Sequence, residues 1–141
     1  MKILLVEDSR VLRLTNQRAL TNAGYEVISA EDGETALQYA RNQKPELILL
    51  DLLLPKISGL EVLTRLKHSR VTATIPVVAV SGLSEKNRQK LIDAGADDYL
   101  EKSFVINEKG LNRIVQVLEA VIYRINRKPG INFSPILEKK P

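Results

Sequence analysis

The chain of 141 residues contains no cysteine, so disulfides and thiolate-bound metals are excluded, and nothing in it points to an oxidising compartment. His68 is the sole histidine, which removes imidazole clusters from consideration as metal sites. Aromatic residues make up only 4% of the chain, too few for a row of rings on which nucleic-acid bases would stack. No apolar run reaches the ~20 residues that span a bilayer, and the longest has Asp51 in its middle. Met1 to Val6 runs into two acids and not into a cleavage site, so a soluble cytoplasmic protein is expected, with no membrane partner. Repeats and low-complexity tracts are absent too.

What is present suffices for one core: 44% of the residues are hydrophobic, and the length suits a single domain. The net charge of +4 is unevenly spread, for residues 1–106 carry 14 basic and 14 acidic side chains, whereas 107–141 carry 7 and 3. A nucleic-acid reader more often carries its basic stripe on the folded body, so nucleic acid is not an expected partner.

The stretch Leu47-Ile48-Leu49-Leu50-Asp51-Leu52-Leu53-Leu54-Pro55 reads as a strand buried on both faces, with one carboxylate where it leaves the sheet. Before it, Lys2 to Val6 is a short strand, Glu7-Asp8-Ser9 suits the start of a helix to about Ala23, and Gly24 ends that helix. Tyr25 to Ala30 is a second strand and Glu34 to Asn42 a helix, closed by Pro45. After it, Ser58-Gly59 opens a helix ending near Ser69, and Val77 to Val80 is a fourth strand. Ser81-Gly82-Leu83-Ser84 turns into a helix from Glu85 to Ala94, and Ala96 to Leu100 is a weaker fifth strand.

The last helix, from near Asn107 or Glu108 to about Arg127, carries Leu111, Ile114, Val115, Leu118, Val121, Ile122 and Ile125 on one side. At some twenty residues it would be about 30 Å long and extend past its sheet. Arg124, Arg127 and Lys128 read as its solvated, dipole-favoured end, before Pro129-Gly130 breaks it. Five strands alternating with five helices imply an α/β fold with a doubly wound parallel sheet covered on both faces. Ligands of such folds sit beyond the carboxyl ends of the strands. Glu7, Asp8, Asp51, Ser81 and Lys102 all fall on that edge.

Three carboxylates converging there would raise one another's pKa values unless a divalent cation lay among them, and oxygen ligands alone favour Mg²⁺. Lys102 and Ser81 would then face oxygens that gain charge during phosphoryl transfer to a carboxylate nucleophile. Singly, each residue has an ordinary explanation as a helix-start acid, a turn serine or a solvated lysine. Only the joint pattern points to a site.

That pattern, Glu7-Asp8, Asp51 in D-L-L-L-P followed by Gly59, Ser81-Gly82, Tyr99 and Lys102, resembles the receiver domain of two-component response regulators over residues 1 to about 125. The resemblance implies a flavodoxin-like sheet of order 2-1-3-4-5, with Asp51 as phosphoacceptor. It implies Mg²⁺ held by Asp8, Asp51 and the Leu53 carbonyl, and by Glu7 mainly through water. The backbone N–H groups of Leu53 and Gly82 would join Lys102 and Ser81 around the phosphoryl oxygens. Ser81 and Tyr99 would form a switch that alters the surface of helix four, strand five and helix five. The implied partners are a histidine kinase or histidine phosphotransfer protein, and a downstream target.

Ser103 stands where the family usually has proline after the lysine, so a cis bond there would cost about 3 kcal/mol; a trans bond demands a rebuilt loop. Leu53 and Leu83 flank the implied path of the hydrolytic water, and neither can orient it, which predicts a long-lived phosphoaspartate. Residues 1–128 read as the receiver and 129–141 as a tail, either a homodimer or partner surface or a linker. Three other functions compete. A receiver-like module that no longer takes phosphate is disfavoured by the complete acid set, and an aspartyl phosphatase by Leu53 where that class has a second acid. DNA binding through the basic tail predicts steep salt dependence.

Overall fold

A computed structural model describes residues 1–82, 88–105 and 112–127, with the backbone alone at 103 and 104. In chain order the elements are β1 (Lys2–Val6), α1 (Arg10–Asn22), β2 (Glu26–Ala30), α2 (Gly33–Asn42), β3 (Leu47–Asp51), α3 (Gly59–His68), β4 (Val77–Ser81), α4 (Arg88–Asp93), β5 (Asp98–Glu101), α5 (Lys102–Val105) and α6 (Ile114–Asn126). The five strands form one parallel sheet of order β2-β1-β3-β4-β5. Fold class and strand order are those the sequence implied.

The two-residue period of the strands divides the core into two layers. Leu4, Val6, Ile48, Leu50, Val77 and Ala79 pack with α2, α3 and α4. Ile3, Leu5, Leu47, Leu49 and Val78 pack with α1 and α6. All five residues of β3 are buried, as expected of a central strand covered on both sides.

Local chemistry sets the helix ends. Ser9 caps α1 by accepting from Leu12 N–H at 3.3 Å, Asp32 caps α2 through Thr35 N–H at 2.8 Å, and Ser58 caps α3 through Glu61 N–H at 3.2 Å. Gly24, at φ 101°, makes the left-handed exit after α1. Gly59 is required by a close approach, since a Cβ there would lie 2.4 Å from Leu52 Cα and 2.6 Å from the Asp51 carbonyl oxygen. The start of α3 is thereby pressed onto the backbone that carries the acid.

The end of the chain departs from expectation in two ways. A short helix, α5, follows β5 directly, giving six helices among the described residues. The last helix, α6, begins at Ile114 and not at 107 or 108; its 13 residues span about 20 Å. Side-chain bonding explains the late start. Asn112 Oδ1 accepts from Ile114 N–H at 2.9 Å, its Nδ2 donates to Asn16 Oδ1 on α1 at 2.9 Å, and Arg113 N–H donates to the Val105 carbonyl at 2.7 Å. These bonds hold 112 and 113 to α1 and α5 instead of the helical ladder, which a hydrophobic period cannot register. Leu83, Ser84, Glu85, Asn107, Glu108, Leu111, Lys128 and the tail 129–141 lie outside the described residues.

Candidate functional site

The carboxyl edge of the sheet brings the predicted acids together. β1 ends at Val6, but Glu7 still donates its N–H to Ala30 O at 3.0 Å, so the chain leaves the sheet only at Asp8. β3 ends on Asp51 itself. Carboxylate oxygens of Glu7, Asp8 and Asp51 all lie within 4.8 Å of one another. Glu7 is 5% exposed and Asp51 2%, whereas Asp8 faces solvent.

Donors meet the buried pair from several directions. Asp51 Oδ1 accepts from Leu53 N–H at 3.0 Å, and Oδ2 from Lys102 Nζ at 2.9 Å. The same ammonium lies 3.8 Å from Glu7 Oε1, and Glu7 Oε2 accepts from Ser9 N–H at 3.1 Å. Burial, followed by the hydrogen bond and the charge of Asp51, raises the Glu7 carboxyl from its ordinary 4.5 to about 7. Burial opposes the Lys102 charge, yet the hydrogen bond to Asp51 and the fields of Asp51, Glu7 and Asp8 outweigh it, so its pKa lies above the usual lysine value. One ammonium thus faces both buried acids. A divalent ion fits this set, because hard oxygen donors at such spacing match Mg²⁺ or Mn²⁺ and no softer ligand joins them among the described residues.

Lys102 reaches Asp51 by the trans route. No peptide bond among the described residues is cis, and β5 passes directly into the turn of α5, whose first residue is Lys102. That helical turn, with Ser103 and not proline after the lysine, places the ammonium 2.9 Å from the acid.

The other predicted residues take their expected places in the fold. Ser81 is the last residue of β4 and fully buried, one step beyond Val80, which pairs in register with Asp51. Gly82 follows it, with nothing within 4 Å of where a Cβ would lie. Tyr99, in β5, is 9% exposed and packs in the layer of α2, α3 and α4. Leu53 is 61% exposed beside Asp51. His68, exposed at the end of α3, bonds the Thr64 carbonyl at 2.7 Å and takes no part in the site.

Some contributors carried no signal in the sequence. Arg13 Nη1 bonds the Glu7 carbonyl at 2.9 Å and the Asp8 carbonyl at 3.4 Å, yet by spacing it is merely a helix residue. Lys67 bonds Asp97 at 3.0 Å and the Ile75 carbonyl at 2.9 Å, tying α3 to the loop before β4. Arg124 is more than a solvated helix-end charge, for it reaches back to buried Asp98 at 2.8 Å; Arg127 stacks on Tyr123 with its guanidinium 4.5 Å from the ring centre. Among the described residues no helix is long and apolar enough to cross a membrane.

Comparison with known proteins agrees with this fold. The family model of the response regulator receiver domain matches residues 3–116. The phosphate regulon transcriptional regulatory protein PhoB of Pseudomonas aeruginosa is 38% identical over 135 residues, covering 95% of this chain and 56% of that protein. The DNA-binding dual master transcriptional regulator RpaA of Synechocystis is 34% identical over 142 residues, covering 99% of this chain and 57% of that protein. The chain therefore spans about half the length of the curated relatives it matches. Among solved structures, the Mn²⁺-bound form of response regulator Rcp1 is 35% identical with a TM-score of 0.71, covering 84% of this chain and 91% of that one. The chemotaxis response regulator CheY4 of Vibrio cholerae is 28% identical with a TM-score of 0.74, covering 85% and 97%. With its family match, its strand order and its edge of acids in agreement, the chain belongs to the receiver domains of two-component response regulators.

Proposed function

We propose that Asp51 is the phosphoacceptor of this receiver. A carboxylate oxygen of Asp51 attacks the phosphorus of a phosphohistidine; the P–N bond breaks, its electron pair stays on the imidazole nitrogen, and that nitrogen takes up a proton. Glu7, Asp8, Asp51 and the Leu53 carbonyl would hold Mg²⁺, which when bound neutralises the acids and the phosphoryl charge that develops. Lys102 Nζ, the Ser81 hydroxyl and the N–H groups of Leu53 and Gly82 receive the phosphoryl oxygens. The observation that carries this reading is three carboxylates within 4.8 Å of one another with Lys102 Nζ 2.9 Å from Asp51.

The phosphorylated state is read as a switch. The Ser81 hydroxyl bonds the phosphoryl group and the Tyr99 ring turns further inward, altering the face of α4, β5 and α6; α6 takes the place of the fifth helix expected from the sequence. The donor is a histidine kinase or histidine phosphotransfer protein, met by this chain in the cytoplasm, and the altered face engages a downstream protein. The chain is thus a phosphoacceptor that assists its own phosphorylation and slow dephosphorylation, with residues 1–128 as the receiver unit and 129–141 as a tail for a homodimer or a linker. Balanced charge over residues 1–106 disfavours nucleic-acid binding by the folded body, although relatives of twice the length are named as transcriptional regulators.

Acetyl phosphate with Mg²⁺ should add one phosphoryl group by intact-mass measurement, and beryllofluoride should block it. Neither EDTA-treated protein nor Asp51→Asn should gain the mass. Phosphorylation of Asp51→Asn at the wild-type rate would overturn the assignment.

A further inference from the structure

We infer that Arg13 is a positioning residue for the metal and phosphoryl site; the inference rests on the reading of Glu7, Asp8 and Asp51 as a cation-binding cluster. The loop from β1 to α1 has to present two of the three acids, yet past the Glu7 N–H, which still bonds Ala30 O, it lies beyond both the sheet ladder and the helix ladder. The carbonyls of Glu7 and Asp8 accept from no backbone N–H among the described residues. Arg13 supplies both bonds from one nitrogen, at 2.9 Å to Glu7 O and 3.4 Å to Asp8 O. Its side chain is only 14% exposed, and its other terminal nitrogen lies 3.8 Å from Glu31 at the end of β2. The guanidinium is therefore fixed by α1 behind it and by Glu31 beside it.

Fixing two consecutive carbonyls fixes the peptide planes on either side of Asp8, and with them the directions in which the Glu7 and Asp8 side chains leave the backbone. Planarity matters, because the rigid guanidinium, with its other terminal nitrogen facing Glu31, sets the direction of both Nη1–H bonds, whereas a lysine ammonium is a freely rotating point donor on a flexible stem. Groups that orient metal ligands from behind commonly account for about 10- to 100-fold in metal affinity.

Charge and positioning predict opposite signs. Considered only as a charge, Arg13 repels a cation, so its removal would tighten Mg²⁺ binding. Considered as a clamp, its removal weakens binding even though a positive charge has gone. Calorimetric titration with Mg²⁺ alone separates the two on wild type, Arg13→Met and Arg13→Lys, each shown native by circular dichroism. Lys67→Met serves as a control destabilised at a distance from the loop.

Both Arg13 variants should bind Mg²⁺ about tenfold more weakly. Their phosphorylation by acetyl phosphate should recover at saturating Mg²⁺, and Lys67→Met should keep wild-type affinity. Tighter or unchanged binding in Arg13→Met, full affinity in Arg13→Lys, or an equal loss in Lys67→Met would overturn the inference. Failure of the wild type itself to bind Mg²⁺ would overturn the reading of the acid cluster along with it.

Discussion

Asp51→Asn should reverse its stability ranking against the wild type when Mg²⁺ is added. Without metal, the Asp51 charge feels two opposed sets of neighbours. Oxygens of Glu7 and Asp8 lie within 4.8 Å, and at an effective dielectric of about 20 each, when ionised, would repel it by roughly 3.5 kcal/mol, less for Asp8, which solvent screens, and less for Glu7 at neutral pH, where its raised pKa of about 7 leaves it partly protonated. Lys102 at 2.9 Å attracts it by roughly 5 to 6 kcal/mol on the same scale, discounted because the lysine side chain is 32% exposed. These contributions nearly cancel. What remains is the cost of keeping a carboxylate ionised at 2% exposure, several kcal/mol before its hydrogen bonds from Leu53 and Lys102 offset part of it.

Asparagine retains an acceptor for Leu53 N–H and removes that cost, so the variant should gain about 1 kcal/mol in EDTA, a rise of roughly 3–5 °C in Tm. At Mg²⁺ concentrations about 100-fold above Kd the wild type gains about 2.7 kcal/mol by linkage. The variant, lacking a charged ligand, should gain well under half of that. Urea and thermal melts followed by far-UV circular dichroism, with EDTA and with Mg²⁺, give all four values. A variant less stable than wild type in EDTA, or one that gains as much from Mg²⁺, would refute the electrostatic account.

Gly59→Ala should cost about 3 kcal/mol or more, because the new methyl meets backbone of Asp51 and Leu52 at 2.4–2.6 Å and not a side chain that can yield; a urea melt measures it. Asp32→Ala should cost about 1 kcal/mol at neutral pH through loss of the α2 cap. The backbone hydrogen bond from Thr35 holds the Asp32 pKa below its ordinary 3.8, so the cap contributes above that value and fades as pH falls through the lowered one; melts of wild type and variant should converge at acid pH. Leu53→Asn places an amide at an exposed position beside Asp51 and should speed loss of the phosphoryl group, most strongly combined with Leu83→Glu. Decay followed by mass gives the rate, and an unchanged lifetime in the double variant would remove the role given to these leucines.

The alternation of strands and helices, the parallel sheet and the edge that carries the acids were all legible in the sequence, because each rests on local chemistry: apolar runs, cap residues and glycines at turns. The acids were legible as a set because strand ends in such a sheet share one edge, so residues far apart in the chain, Glu7, Asp51 and Lys102, converge by topology alone. Tertiary structure decided what no local pattern encodes. Side chains that bond across elements set the start of α6 through Asn112 and Asn16, gave Arg124 a buried partner in Asp98, and laid Arg13 behind the acid loop. It also settled how Lys102 reaches Asp51 without proline, through a helical turn whose direction depends on the strand before it. Hydrophobic periodicity records which face of an element is buried; which polar group meets which depends on how those faces dock, and only the folded chain contains that information.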